Sequence, residues 1–243
     1  MRAFAIALQF LTRLPVRLNQ PYRTEEAGRS LLWYPVVGLV IGAILAALGW
    51  LLADRGGMVP AALVLAGWVG LTGALHLDGL ADSADAWAGG YGDRERSLAI
   101  LKDPHSGPVA IALLVTVLLV KFAAIDHLLA MNDWVELGMA PVLGRSAILA
   151  LLLTTPYVRV AGLGENLVKQ LPRRAVLAVL IVVASLCVLA TPVRSVIALA
   201  ATAIGFILLR RLMLDRLGGT TGDTAGALVE MTECAVLVAL ALV

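Results

Sequence analysis

The sequence has few charged residues and few cysteines, and each shortage excludes a class of protein. Only 15% of the 243 residues are charged, whereas 60% are hydrophobic. Soluble domains average about 25% charged and about 45–50% apolar residues, so an ordinary soluble domain is excluded. The two cysteines, Cys187 and Cys234, lie in apolar runs and form neither a disulfide framework nor a zinc motif. The net charge of +2 indicates no class of partner, and we expect no nucleic-acid partner.

The apolar residues form runs that are long enough to cross a bilayer. A spanning helix needs about 17–25 apolar residues, and its backbone satisfies its own hydrogen bonds. The sequence therefore predicts an all-α polytopic integral membrane helical bundle. About seven transmembrane helices are expected, at 31–52, 59–75, 109–125, 138–155, 175–190, 196–209 and 225–243. No internal repeat or linker divides the chain, so residues 1–243 are expected to form one domain. Residues 2–14 are expected to form an interfacial or re-entrant amphipathic segment.

The basic residues are distributed unevenly between the two sides of this topology. If the N-terminus is cytoplasmic, fifteen of the nineteen Lys and Arg residues lie on the cytoplasmic side. Basic loops stay in the cytoplasm during insertion, so the N-terminus is predicted to be inside. Lys121 and Arg145 fall within spans. Lys121 could snorkel to the interface, whereas Arg145 is a functional candidate that could pair with Glu230, Glu233 or a phosphate.

A first acidic cluster follows the second predicted helix. Asp78, Asp82 and Asp85 are spaced by four and then three residues, which places their carboxylates on one face of a helix. Such bunched carboxylates must be protonated, hydrated or neutralised by a cation, and oxygen ligands suit magnesium, manganese or calcium. The alternative is a solvated acidic helix end. The apolar residues between the aspartates favour a metal site.

A second constellation opens the last helix. The Gly-rich turn at 218–222 allows backbone amides to approach an anion, and a helix beginning near Asp223 offers its dipole to a phosphate. Asp223 could instead be only an N-cap. Glu230 and Glu233 share its side of the helix, and ionisable groups inside an apolar segment usually face a cavity or a partner. Both clusters lie at cytoplasmic helix ends, so they are expected to meet in one phosphate-transfer site.

The loop between the clusters contains further polar candidates. Lys102 could bind a substrate phosphate or a neighbouring carboxylate, or it could belong to a solvated loop. His76 and His105 could be metal ligands or bases, although a lone histidine is more often neither.

Five motifs together resemble the cobalamin synthase family. They are FLTRLP at 10–15, WYPVVG at 33–38, HLDGLAD at 76–82 followed by Asp85, LKDPHSG at 101–107, and GTTGD at 219–223. Their order and spacing match over nearly the whole chain. The resemblance implies a multi-pass inner-membrane enzyme that joins adenosylcobinamide-GDP to α-ribazole or its 5′-phosphate, uses Mg²⁺ and releases GMP.

The resemblance and the clusters together define the expected site. Besides membrane lipid and the two substrates, the chain could form a homo-oligomer or associate with other cobalamin-assembly enzymes. We assign catalysis to Asp82, Asp78 and Lys102; substrate binding to His76, Gly79, His105, Arg145, Thr221 and Gly222; and metal binding to Asp78, Asp82, Asp85, Asp223 and Glu230.

Two other classes of protein remain as alternatives. CDP-alcohol phosphotransferases perform similar chemistry in membranes, but in their motif a glycine follows the second aspartate, whereas here Gly79 follows the first. Ion-coupled transporters also bury carboxylates and break helices with glycine. Their substrate sites generally lie near the membrane midplane between repeated halves, whereas these clusters lie at one face of a chain without repeats.

Overall fold

The chain is helical in almost all of the part that the structure describes. The computed structural model describes residues 1–18, 21, 23–52, 55–159 and 163–243, and these contain no β-strand. A turn of 3₁₀ helix, Leu31–Trp33, joins the second helix to the third. The α-helices are α1 (Arg2–Leu11), α2 (Thr24–Ser30), α3 (Tyr34–Leu52), α4 (Val59–Thr72), α5 (Leu75–Gly89), α6 (Arg94–Ile100), α7 (Pro108–Ala130), α8 (Trp134–Thr154), α9 (Leu163–Lys169), α10 (Arg173–Ala190), α11 (Pro192–Leu217) and α12 (Gly222–Ala241).

Six of these helices are long and apolar enough to cross a membrane. They are α3 with its α2 extension, α7, α8, α10, α11 and α12, and the bent pair α4–α5 makes a seventh candidate. The predicted polytopic helical bundle of about seven spans is therefore confirmed. The first helix has 10 residues, or about 15 Å of length, which is half of a hydrocarbon core of about 30 Å.

The second predicted span is not straight. The axes of α4 and α5 meet at 87°, because Gly73 and Ala74 both adopt left-handed backbone angles, with φ of 62° and 57°. A Cβ on Gly73 would lie 2.0 Å from Nε of Arg13, so glycine leaves room for this side chain where the N-terminal segment crosses the corner. The acidic cluster consequently lies on a separate helix, α5, rather than on the end of a span.

Small residues bring α3 against α8. A Cβ on Gly38 would lie 2.4 Å from the carbonyl oxygen of Pro141, and one on Gly42 would lie 2.5 Å from that of Gly138. The two glycines are four residues apart, which is the spacing that allows close helix packing in membranes. The central helices α8 and α12 are 72% buried over their most apolar windows, whereas α10 and α11 are only 6% and 11% buried.

Successive spans alternate in direction, so the functional segments gather at one end of the bundle. At this end, called here the carboxylate end, α3, α7, α10 and α12 begin and α8 and α11 end. Contacts between helix ends confirm the arrangement. Nη2 of Arg210, near the end of α11, donates to the Thr154 carbonyl at the end of α8 at 2.6 Å. At the opposite end, Arg194 of α11 pairs with Asp133, just before α8.

Candidate active site

The three aspartates of α5 lie along its least buried stripe. Asp78 is exposed and Asp82 and Asp85 are half-buried, while Leu80 and Ala84 between them are buried. The structure thus confirms the helical spacing that the sequence predicted. All three carboxylates lie at the carboxylate end of the bundle.

A close crossing of α5 and α12 brings Asp223 to these aspartates. Gly79 packs so tightly that a Cβ on it would lie 2.5 Å from the backbone oxygen of Asp223. Asp82 consequently experiences the charges of Asp78, Asp85 and Asp223. Gly79, predicted to bind substrate, has this packing role in the structure: a larger residue would separate the two acidic clusters.

Asp85 is engaged by backbone donors at the start of α7. Its two carboxylate oxygens accept hydrogen bonds from the backbone N–H groups of Gly107 and Ala110, the latter at 3.0 Å. These are orphan donors of a helix N-terminus, so Asp85 acts as a cap supplied from another helix. Asp85 therefore ties the loop 101–107 to the site and is a weaker candidate for a metal ligand than Asp78 or Asp82.

The Gly-rich turn forms the start of α12. Gly218 ends α11 with φ of 70°, and Thr220 pairs with the segment after α8, its N–H donating to the Pro156 carbonyl at 2.8 Å. The buried Thr221 caps α12 by accepting the N–H of Thr224 at 3.2 Å. Gly222, the first residue of α12, is exposed. The predicted anion-binding turn therefore begins α12 at an exposed residue, with the N–H of Thr224 already held by Thr221.

Arg159 is a residue of this site that our sequence assignment missed. Its Nη1 donates to Oδ2 of Asp223 at 2.8 Å, and both side chains are partly exposed. From the sequence, Arg159 could gather phosphate at the interface or simply follow the positive-inside rule, and the second interpretation was slightly favoured. Its position just after the PYV segment gave no indication that this segment pairs with the Gly-rich turn.

Tyr157 packs behind this ion pair. A Cβ on Gly164 would lie 2.8 Å from its hydroxyl oxygen, and the hydroxyl lies near Gly222. Burial raises the pKa of Tyr157 above its usual value, while the charge of Arg159 acts in the opposite direction. Tyr157 is therefore a neutral phenol that supports the loop carrying Arg159.

The polar residues of the loop 101–107 stand in solvent. Lys102 and His105 are exposed, and Nδ1 of His105 lies 2.7 Å from Oδ1 of Asp103. This hydrogen bond lowers the pKa of Asp103. Among the described contacts, neither Lys102 nor His105 reaches the aspartates of α5, so their predicted roles require a substrate that extends to this loop.

His76, by contrast, lies inside the protein. Its side chain is buried, and Nδ1 has no hydrogen-bond partner in the described part of the chain. A Cβ on Gly226 would lie 3.4 Å from its backbone, so His76 sits where α5 crosses α12. The structure places it beneath the carboxylates rather than on the open face.

Glu230 belongs to a second, buried cluster. Nζ of Lys121 lies 2.9 Å from Glu230 and 2.7 Å from Glu233, and Nη1 of Arg145 pairs with the other oxygen of Glu233. Glu230 follows Asp223 by seven residues, or about 10 Å along the helix. It cannot join Asp223 around one metal ion, so our assignment of Glu230 to the metal is not supported by the structure.

The same cluster corrects our view of the two basic residues in spans. Lys121 does not snorkel: its Nζ is held by two glutamates and lies 4.1 Å from the ring centroid of Trp68. Arg145 is fully buried and pairs with Glu233, as one of our alternatives proposed, and not with an open phosphate site. Two glutamates in an apolar span required cationic partners, and this requirement was the available signal for Lys121.

The remaining carboxylates are suited to Mg²⁺ by their chemistry. Within the described residues, no three His, Cys, Asp or Glu side chains are grouped tightly enough to enclose a metal ion. Mg²⁺ does not need such a cage, because it commonly takes one or two carboxylates together with waters and substrate phosphates. Asp78, Asp82 and Asp223 supply such oxygen atoms around one opening.

Comparison with known proteins finds similar sequences over the whole chain. Residues 3–241 match the family model described as cobalamin-5-phosphate synthase. Proteins named adenosylcobinamide-GDP ribazoletransferase are similar over their full length. Those of Pseudomonas fluorescens (strain Pf0-1) and Pseudomonas savastanoi pv. phaseolicola are each 56% identical, over 98% and 100% of both chains. That of Pseudomonas aeruginosa PAO1 is 55% identical over 100% of this chain and 98% of its own.

No solved structure matches the chain significantly. The family model and the relatives each extend over essentially the whole sequence, including α5, the loop 101–107 and the start of α12. The chain therefore belongs to the cobalamin-5-phosphate synthase family.

Proposed function

We propose that this protein transfers the adenosylcobinamide phosphate group from adenosylcobinamide-GDP to α-ribazole or α-ribazole 5′-phosphate. The products are adenosylcobalamin or its 5′-phosphate, and GMP. Full-length relatives at about 55% identity carry the name of this activity. The structural observation that carries the proposal is the crossing of α5 and α12, which places Asp78 and Asp82 beside the Asp223–Arg159 pair.

The reaction exchanges one phosphorus–oxygen bond for another. A ribose hydroxyl oxygen of the α-ribazole attacks the phosphorus on the corrinoid side of the diphosphate, and the bond to the bridging oxygen breaks to release GMP. Asp82 or Asp78 accepts the hydroxyl proton, because these carboxylates lie at the opening. The N-terminus of α12, exposed at Gly222, would offer the positive end of its helix dipole to the phosphate oxygens.

Asp78, Asp82 and Asp223 would hold Mg²⁺ in this scheme. When bound, the ion would neutralise the diphosphate and stabilise the charge on the leaving oxygen. Lys102, exposed on the loop that Asp85 ties to the site, would balance charge on the far side of the GDP group. The donor chemistry of the three aspartates supports this assignment.

We further propose that the protein resides in the inner membrane with the carboxylate end in the cytoplasm. The positive-inside distribution of Lys and Arg supports this orientation. Both nucleotide-derived substrates are highly polar, so a cytoplasmic opening also gives them direct access.

The reaction class is tested by GMP release from purified protein in detergent. We expect product from adenosylcobinamide-GDP and α-ribazole 5′-phosphate with Mg²⁺, and loss of product after EDTA that is restored by excess Mg²⁺. Product formation unaffected by EDTA would reject the Mg²⁺ assignment alone. Absence of corrinoid product from folded protein would reject the proposed reaction. A CDP-alcohol phosphotransferase would then be the next candidate or, if the protein carried solute across the membrane of proteoliposomes, a transporter.

Arg159 is proposed to recognise the diphosphate. In the free protein its guanidinium neutralises Asp223, at 2.8 Å. A phosphate oxygen bound at the N-terminus of α12 would be a second acceptor for the Arg159 guanidinium. Arginine binds phosphate through two parallel N–H donors. Arg159 is partly exposed and lies on a loop, so it can shift between the two acceptors.

Replacing Arg159 with glutamine is expected to weaken binding of GDP and of adenosylcobinamide-GDP by about 10- to 100-fold, as hydrogen bonds to charged groups contribute about 1.5–3 kcal/mol. Equilibrium binding of GDP in EDTA and the KM for the donor would measure the effect. The exposed Arg211, with no ion pair among the described residues, gives the matched control Arg211→Gln. Unchanged GDP binding in Arg159→Gln would refute this role.

A further inference from the structure

An apolar groove runs along the outside of the bundle, away from the carboxylate site. It has a volume of about 640 Å³ and is formed by α3, α8 and the poorly packed helix α10. Its walls are almost entirely aliphatic, as shown by Leu39, Val142 and Val182. All three helices are spanning candidates, so the groove faces the lipid hydrocarbon.

The wall from α3 leads directly to a basic residue. Groove residues recur along one face of the helix from Ala46 through Ala43, Leu39 and Val36 to Leu32. Because α2 and α3 form one continuous helical path, the next position on this face, one turn earlier, is Arg29. Arg29 is exposed at the carboxylate end.

The wall from α10 ends in the same way. Groove residues recur at every fourth position from Ala190 through Leu186 and Val182 to Ala178. The next position on this face is Arg174, which is exposed in the first turn of α10. On both helices, therefore, an arginine lies one helical turn beyond the last groove residue, towards the carboxylate end.

The two arginines are brought to the same place by a tight contact. Gly28 packs against Gln170 so closely that a Cβ on it would lie 2.5 Å from the Gln170 carbonyl oxygen. Arg29 directly follows Gly28, and Arg174, the second residue of α10, lies four residues after Gln170. Neither arginine forms an ion pair with another described residue.

The groove is long enough to cover one leaflet. Leu32 and Ala46 are fourteen residues apart, or about 21 Å along a helix. Half of a hydrocarbon core of about 30 Å is about 15 Å, so an acyl chain descending from the headgroup level fits within the groove. A free anion would not use the aliphatic walls, and a neutral lipid would not use the arginines.

We propose that this groove binds an anionic phospholipid, with one acyl chain between α3, α8 and α10 and its phosphate between Arg29 and Arg174. The bound chain would cover apolar surface of α10, a helix whose most apolar window is only 6% buried in the protein. Nη2 of Arg173, at the start of α10, donates to the Leu153 carbonyl at the end of α8. The lipid would thus stabilise both ends of the loop that carries Arg159.

The test is lipid binding to delipidated protein in detergent, measured by native mass spectrometry with phosphatidylglycerol or phosphatidylcholine of the same acyl chains. We expect one tightly bound phosphatidylglycerol. An arginine near an anionic headgroup favours binding by about fivefold. Replacing both Arg29 and Arg174 with glutamine should therefore reduce the preference for phosphatidylglycerol by about 25-fold. The same change at Arg211 is the charge control.

A second variant tests the acyl-chain part separately. Ala178→Phe places a ring in the groove and should reduce binding of both lipids, whereas Ala200→Phe on the exposed face of α11 should not. Equal binding of the two lipids to the unmodified protein, or an unchanged preference in the double arginine variant, would overturn the headgroup assignment. If neither the double arginine variant nor Ala178→Phe reduced lipid binding, and Ala178→Cys formed cross-links between two copies of the protein, the groove would be a dimer interface instead.

Discussion

Replacing Asp82 with asparagine is expected to reduce kcat by about 10³-fold, the scale seen when a group that stabilises transition-state charge is removed. Asp82 lies between Asp78 and Asp85 on α5 and experiences the charge of Asp223, so it is central to the carboxylate site. Asparagine keeps the size of the side chain but removes a charge and the ability to accept a proton. The measurement is GMP release at saturating substrate and Mg²⁺.

The exposed Asp215 on α11 provides the matched control, because it is at the same end of the bundle and has no ion pair with other described residues. Asp215→Asn should retain kcat within twofold, which is the behaviour of a solvated carboxylate. The thermal unfolding of both variants must match that of the unmodified protein. A folded Asp82→Asn variant with near-normal kcat would place the chemistry elsewhere.

The second large effect concerns stability and not chemistry. Replacing Glu233 with glutamine is expected to lower the free energy of unfolding by about 3–5 kcal/mol, because removal of one partner leaves a buried charge uncompensated. Glu233 is completely buried and pairs with both Lys121 of α7 and Arg145 of α8. Without its charge, two cations share the single carboxylate of Glu230. Equilibrium unfolding in detergent micelles measures the loss.

A compensating substitution distinguishes charge balance from simple side-chain loss. Lys121→Met in the Glu233→Gln background leaves Arg145 with Glu230, which is one cation with one anion, so part of the lost stability should return. The exposed Glu95→Gln is the surface control and should change stability by no more than about 0.5 kcal/mol. A double variant less stable than Glu233→Gln would show that the two side chains act independently.

The number of spans and the face of the acidic helix were predictable because both depend on local patterns. Apolar runs of sufficient length must form helices in a bilayer, and all seven expected runs correspond to helices in the structure. The spacing of Asp78, Asp82 and Asp85 determines a helical face regardless of what packs around it. The corner between α4 and α5 was not predictable, since it depends on Ala74 adopting a left-handed conformation next to Gly73.

The predicted site and the folded site differ in how residues that are distant in sequence pair with one another. Asp223 was expected to join the α5 aspartates, and the crossing at Gly79 brings it there. Asp85 was expected to bind metal, but its oxygens accept backbone N–H groups of α7. Glu230 was expected at the same centre, yet Lys121 holds it inside the bundle.

The sequence by itself determined the membrane-spanning helical architecture and the residue types available for phosphate chemistry, because hydrophobic length and helical periodicity act over neighbouring residues. Only the tertiary structure decided how the charges are paired. Asp223 pairs with Arg159, whereas Glu233 pairs with Lys121 and Arg145, across separations of 64, 112 and 88 residues. A buried charge must find an opposite charge within a few ångströms, and which one is within reach depends on how the helices cross.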